Sequence, residues 1–207
     1  GSAACCVIWD ATQIFIVPRD AWGAIEPARG IDGTLSLGRV TLQVPPVLAV
    51  VGEDARRLRT RADLLVAAYL LGLAEEALAK AVEYAGIRRQ FGQPIGAFQA
   101  IKHRCADMAV RADGAFAQTS YAAVAVGERL AGAATEAAIA KYVADEASRL
   151  NSEGAVQIHG AMGFTSEATP HRYVNRGHLL ARCLASRAGL LDRIVGRYAE
   201  PPATTPA

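Results

Sequence analysis

From about Arg57 onward, the apolar residues of this 207-residue chain recur every three or four positions, a period that long packed helices require. Leu64, Ala68, Leu71, Ala74, Leu78, Ala81 and Ala85 share one face, while Glu75, Glu76, Lys80 and Glu83 fall largely outside it. A second run spans about Ile95 to Leu130, with Phe98, Ile101, Cys105, Met108, Ala112 and Ala115 inward. A third spans about Ala134 to Ile158, with Ile139, Val143, Ala147 and Leu150 inward. A fourth, about Glu167 to Tyr198, carries Leu180, Leu184, Leu191 and Ile194. Gly127 and Gly132, then Gly160 and Gly163, punctuate the turns. Four long helices with short connections predict an up-down bundle over residues 57–198.

The segment ahead of them has a different period. "ACCVIW" and "QIFIV" read as short strands around an Asp10-Ala11-Thr12 turn. "TLSLGRVTLQV" alternates, with Leu35, Leu37 and Val40 as candidates for a buried face and Pro45-Pro46 closing it. Three half-polar strands rarely stand alone, so residues 3–52 read as part of a larger β-domain. The expected class is α+β: a partial antiparallel β-domain, then an up-down four-helix bundle. The Pro/Thr/Ala-rich tail, residues 199–207, is expected to be disordered.

Composition narrows the function. At 52% hydrophobic the chain can bury a sizeable core, and a net charge of +2 lacks the basic excess of a nucleic-acid binder. Cys5, Cys6, Cys105 and Cys183 form no CxxC and read as small buried hydrophobes in a reducing compartment. The four histidines show no zinc spacing, so no metal is expected. The longest apolar run, Leu64 to Ala74, is well short of the ~18 residues of a membrane span. With no signal peptide visible, the expected location is the cytoplasm.

Two polar loops stand out. "RRQFG", Arg88 to Gly92, follows one helix and precedes the next. Arginine offers a planar fork suited to phosphate, and the Gly92-to-Gly96 loop lets backbone N–H groups at a helix start face an anion. A solvated basic turn capping a helix C-terminus fits the same residues. In "QIHGAMGFTSE", Gln157 can donate and accept, while Gly160 and Gly163 permit positive φ or close backbone approach. A C-cap followed by an N-cap fits that stretch equally. "HRYVNRGHLL", with Lys102 and His103, reads as polar helix surface.

Taken together, "YAGIRRQFGQPIGAFQAIKHRCADM" and "QIHGAMGFTSEATPHRY" resemble the C-terminal part of the acyl-CoA dehydrogenase family. Tyr84, Arg88, Phe91-Gly92, Pro94-Ile95, Phe98-Gln99, Ile101, His103 and Ala106-Asp107-Met108 match in order. The resemblance covers residues 3 to about 198. It implies the end of the middle β-domain followed by the C-terminal bundle, without the front that holds the flavin ring and shapes the acyl pocket.

The resemblance implies FAD as cofactor and an acyl-CoA thioester as substrate, oxidised to the 2,3-enoyl-CoA. It places Arg88, Gln90 and Phe91 against the FAD pyrophosphate and Gln157, Gly160 and Ala161 against the adenosine half, in the site of a neighbouring subunit. Gln99 and Gly163 are expected to be cofactor-binding with them. Ala161 stands where a glycine is usual. The family's catalytic Glu-Gly-Thr turn falls on Leu184-Ala185-Ser186, which offers no base. An alternative glutamate position falls on Ala62, beside Asp63. One residue along a helix turns a side chain by ~100°, so Asp63 is a weak candidate base, expected instead to be a solvated acid near a helix start. No catalytic residue is therefore assigned.

The reading that follows is a non-catalytic subunit of a mixed α₂β₂ assembly, paired with a longer acyl-CoA dehydrogenase-like chain. The resemblance is to the heterotetrameric actinobacterial type that degrades steroid-CoA substrates. Two other readings stand: a self-sufficient dehydrogenase of which this sequence is a piece, with Asp63 as base, and a structural or regulatory bundle without catalytic part.

Overall fold

The computed structural model describes residues 5–9, 13–42 and 48–199. The Asp10–Thr12 turn, the Pro45-Pro46 stop and the tail beyond Ala199 lie outside them. The chain divides into two compact units, Gly1–Thr60 and Arg61–Ala207.

In the first unit, β1 (Cys5–Trp9) pairs antiparallel with β2 (Ile14–Pro18), in register Cys5↔Pro18 to Trp9↔Ile14. β2 also pairs with β5 (Leu48–Val50), giving the order β1-β2-β5. A separate antiparallel pair joins β3 (Trp22–Ala28) to β4 (Leu37–Leu42), with an irregularity between Trp22 and Ile25. Ile14 and Val17 are buried, and the Trp22 Nε1–H donates to the Val17 carbonyl at 3.2 Å. The expected antiparallel β-part is present, with two strands more than the pattern predicted. β3 escapes notice because Gly23, Glu26 and Pro27 interrupt its alternation, and β5 because it is three residues long. The expected buried face of β4 needs correction. Leu35 and Leu37 are 37% and 38% exposed, and Val40 is half-buried. A two-stranded ribbon gives its side chains little cover of its own.

Helix α1 (Gly52–Ile87) starts ahead of the expected Arg57. Its first turn carries Glu53 and Asp54, which complement the helix dipole. Arg56 and Arg57 both pair with Glu53, at 3.1 and 3.2 Å. After Asp63, its inward stripe is Ala67, Leu70, Leu71, Ala74, Ala77, Ala81 and Ala85, all buried, whereas the expected Ala68 is exposed.

Helix α2 (Gln99–Gly127) begins later than expected, because Ile95–Ala97 form a 3₁₀ turn and Phe98 is extended (φ −76°, ψ 135°). Gly132, at φ 90°, turns the chain into α3 (Ala133–His159). The predicted fourth helix is two, α4 (Pro170–Ala181) and α5 (Arg187–Ala199). Between them Leu184 takes φ 71°, which no helix accommodates. Ser186 restarts the helix: its Oγ accepts the Gly189 N–H at 3.2 Å and its carbonyl the Leu190 N–H at 3.0 Å.

The bundle core is built largely of alanine, which lets the helices approach closely. Ala67, Leu70, Leu71 and Ala74 of α1 meet Ala115 and Ala122 of α2 and Ala140, Ala144 and Ala147 of α3. A second cluster joins Ala77, Ala81 and Ala85 to Met108, Ala155 and Ile158. Between them the fully buried Asn151 donates Nδ2–H to the carbonyls of Ala74 (3.2 Å) and Met108 (2.9 Å). One amide thus ties three helices while its own buried N–H groups find acceptors on the neighbouring backbones.

Candidate functional site

The C-terminal end of α1 runs into a minimal hairpin. The Arg88 N–H closes the helix on the Tyr84 carbonyl at 2.9 Å, and the Ile95 N–H returns to the Arg88 carbonyl at 2.8 Å. Between them β6 (Arg89–Gln90) pairs with β7 (Gln93–Pro94), in register Arg89↔Pro94 and Gln90↔Gln93. The two tip residues, Phe91 and Gly92, both lie at positive φ, 52° and 81°. That is the signature of a two-residue type I′ turn, whose twist matches that of paired strands.

Glycine takes this backbone freely, but phenylalanine does not. Two side chains brace the strained tip. Arg89 donates a guanidinium N–H to the Gly92 carbonyl at 3.0 Å, and Gln90 donates Nε2–H to the Arg89 carbonyl at 2.7 Å. The Phe91 ring is 91% exposed and meets the edge of Phe98 at 6.1 Å and 88°. Gly96 is required by close packing: a Cβ there would sit 3.0 Å from the Ala85 carbonyl oxygen. Arg88 and Gln99 are exposed. Among the described residues the Arg88 guanidinium makes no hydrogen bond or ion pair, so its fork is uncommitted.

The second loop follows α3. Gly160 ends the helix at φ 60°. A 3₁₀ turn, Gly160–Phe164, then folds back so tightly that a Cβ on Gly163 would lie 2.7 Å from the Val156 carbonyl oxygen. Gln157 and Ala161 are exposed. His159 Nδ1 lies 2.8 Å from the Ala155 carbonyl, so that nitrogen carries the hydrogen and donates it.

The His159 ring stacks on Tyr84 at 4.1 Å between centroids and 20° between planes. Tyr84 is one turn before Arg88, and His159 directly precedes Gly160. The stack therefore places both loops at the same end of the bundle, as alternating helix directions require of α1 and α3.

Sequence reasoning missed the third feature. Asp63 was expected to be a solvated acid near a helix start. It is instead fully buried in the interior of α1. Its Oδ1 accepts from Lys141 Nζ at 3.1 Å, and its Oδ2 from the Arg193 guanidinium at 2.7 Å. Lys141, also fully buried, donates to the Cys183 carbonyl as well. Burial pulls the Lys141 ammonium below the ordinary lysine range, and the Asp63 charge and hydrogen bond oppose that pull. The reason for the misplacement is the phase of the stripe: Ala67 and not Ala68 is buried, and Asp63 lies four residues before Ala67, on the same face. Lys141 was detectable in the same way, sitting four residues after Ala137 and three before Ala144, both buried.

The Lys141 bond to Cys183 holds the break between α4 and α5, next to Leu184. Elsewhere α4 presents polar residues. Arg176 donates to the Tyr69 hydroxyl at 2.6 Å, and the Tyr173 hydroxyl meets Thr169 Oγ1 at 3.3 Å. Among the described residues no group of three His, Cys, Asp or Glu side chains could hold a metal, and no helix is long and apolar enough to cross a membrane.

Comparisons with known proteins agree with this architecture. The acyl-CoA dehydrogenase C-terminal domain family matches residues 60–193. Acyl-CoA dehydrogenase FadE34 of Mycobacterium tuberculosis is 38% identical over 82% of this chain and 24% of its own length. Acyl-CoA dehydrogenase IpdE2 of the same organism is 39% identical over 86% of this chain and 52% of its own. The chain thus spans about half the length, or less, of these curated relatives. Among solved structures, the ChsE4-ChsE5 complex from Mycobacterium tuberculosis superimposes with a TM-score of 0.84 at 30% identity, covering 97% of this chain and 57% of that one. Butyryl-CoA dehydrogenase from Megasphaera elsdenii gives 0.79 at 26% identity, covering 91% and 52%. A family match across most of the bundle, with relatives that agree in sequence and fold, makes this chain a member of the acyl-CoA dehydrogenase family.

Proposed function

We propose that this chain is an accessory subunit of an FAD-dependent acyl-CoA dehydrogenase. It supplies one arm of the dinucleotide site, and a partner acyl-CoA dehydrogenase-like chain supplies the catalytic base. The observation that carries this reading is the Tyr84–His159 stack, which joins the Arg88 hairpin to the Gln157–Gly163 loop at one end of the bundle.

The donor set fits FAD, the cofactor generally used by this family. The Arg88 fork is exposed and uncommitted, and pairs with a pyrophosphate through two parallel N–H bonds. The long helix α2 begins beside it with no side-chain cap at Phe98, leaving first-turn N–H groups for an anion. Gln157 can hydrogen-bond the ribose or adenine, and the turn at Gly160 and Ala161 offers backbone there. The Ala161 methyl narrows that approach where the family usually has glycine. FAD held by these residues would supply the hydride acceptor for oxidation of an acyl-CoA at its β-carbon, with the α-proton going to a carboxylate base.

The missing base favours an accessory role. Leu184 occupies the family's glutamate position and cannot take a proton. Asp63 has both oxygens engaged by cations and no exposed surface. A self-sufficient enzyme using Asp63 would have to break a buried ion pair to free it. A mixed assembly is in keeping with ChsE4-ChsE5 being a complex. Steroid-CoA thioesters are the first substrates to test, because the sequence resembles the heterotetrameric actinobacterial type.

The experiment is co-expression with a longer acyl-CoA dehydrogenase-like chain, followed by flavin spectra of wild type and Arg88→Ala. Loss of flavin in the variant, with the complex intact, supports the arm. Unchanged flavin in an intact complex moves the chain to a structural or regulatory role.

A further inference from the structure

The sequence offers Arg88 and Arg89 as one basic fork, but the structure separates them. Arg88 is uncommitted, whereas Arg89 is spent on its own turn. Its guanidinium bonds the Gly92 carbonyl at 3.0 Å, across the two residues that take positive φ. The first of these is Phe91, which has no intrinsic preference for a φ of 52°. Among the described residues its ring makes one aromatic contact, with Phe98, and Phe91 is 91% exposed. The tip thus holds an aromatic side chain out in solvent, on strained backbone, under a cross-turn clamp. Strain of this kind persists where the surroundings over-determine it.

We infer that Arg89 is a positioning residue: it acts through the turn, fixing Phe91 at left-handed φ so that the ring is preset to stack on the planar base of a dinucleotide, and it does not contact the phosphates. This rests on the FAD-arm reading above. Gln90 belongs to the same brace, because its Nε2–H reaches back to the Arg89 carbonyl at 2.7 Å. The division of labour is electrostatic for Arg88 and conformational for Arg89. A preset ring avoids part of the ordering cost that a mobile one would carry into binding.

The test is FAD titration of the assembled complex at several salt concentrations, for Arg88→Ala, Arg89→Ala, Phe91→Gly and the Arg89→Ala/Phe91→Gly double variant. Arg88→Ala is expected to weaken binding and flatten its salt dependence, as loss of a phosphate contact does. If Arg88→Ala changes neither, the FAD-arm reading itself fails. Arg89→Ala is expected to weaken binding by about three- to tenfold, the worth of one net hydrogen bond, with the salt dependence kept. Phe91→Gly keeps the turn and removes the ring. In that background Arg89→Ala is expected to add nothing, since residues that act as a unit are non-additive. With Arg88→Ala behaving as expected, the proposal is overturned if Arg89→Ala leaves affinity unchanged, flattens the salt dependence, or weakens the Phe91→Gly variant further. Amide exchange at Gln93 gives a flavin-free readout: it should quicken in Arg89→Ala and stay unchanged in Arg88→Ala.

Discussion

Asp63 of α1 and Lys141 of α3 face each other at 3.1 Å with both side chains fully excluded from solvent. Arg193 of α5 bonds the other Asp63 oxygen, and Lys141 reaches the Cys183 carbonyl at the α4–α5 break. Three helices therefore meet on a single buried carboxylate, and the loop joins them through Lys141. Removing Asp63 leaves the buried Lys141 charge uncompensated, whereas removing Lys141 leaves Asp63 paired with Arg193. Asp63→Asn should therefore lose about 3–5 kcal/mol of stability and Lys141→Met less, while Asp63→Leu/Lys141→Met should lose less than the sum. Urea unfolding of the four proteins checks this.

The same pair predicts a pH dependence. In the folded chain Lys141 titrates below its ordinary value of 10.5, because burial disfavours the charged form. The unfolded chain then binds more protons in the window just below 10.5, so stability rises with pH across it and levels off below the lowered folded value. Asp63→Asn removes the charge that opposes the shift, which widens the window downward. The variant should recover more stability than wild type between neutral and alkaline pH, as followed by denaturation midpoints. Equal slopes would mean that Asp63 does not support the Lys141 charge.

The two loop glycines should fail for different reasons. Gly163→Ala puts a methyl 2.7 Å from the Val156 carbonyl oxygen, with backbone on the other side, and should cost about 1–3 kcal/mol as overpacking. Gly160→Ala meets no atom within 4 Å but must keep φ 60° with ψ −137°, a combination outside the left-handed helical region that only glycine takes easily, so about 1–3 kcal/mol of backbone strain is expected. Gly160→Asn should recover little of that, because asparagine's tolerance is for ψ near the left-handed helix value, whereas Gly163→Asn should lose more than Gly163→Ala because its side chain is larger. Thermal unfolding of the four variants separates the cases.

The Tyr84–His159 stack should contribute about 0.5–1.5 kcal/mol beyond its buried area. A double-mutant cycle with Tyr84→Leu and His159→Leu measures that term. Zero coupling would mean that the loops meet through the surrounding apolar contacts alone.

Much of the bundle was legible because a period of three to four is a strong signal over long runs. The fourth helix was over-read for the same reason. Leu180, Leu184, Leu191 and Ile194 carry the period straight through the break, and nothing in that spacing reveals that Leu184 takes positive φ. Ser186, a good N-cap, was the available warning. Strand β3 was hidden by Gly23 and Pro27, which interrupt alternation without preventing pairing. At the site, motif order located both loops, but only geometry separates the uncommitted Arg88 from the engaged Arg89. The burial of Asp63 is within reach of the local period once the stripe is phased on Ala67, but its partners lie 78 and 130 positions away in sequence, beyond any local pattern.

The most direct test of the central claim is flavin content per chain, read from visible absorbance, for this chain alone and for its complex with a longer acyl-CoA dehydrogenase-like partner. The account predicts a colourless chain alone and a yellow complex with one flavin for each pair of chains. A chain that binds one flavin per copy by itself would contradict the accessory role and return attention to Asp63 as a base.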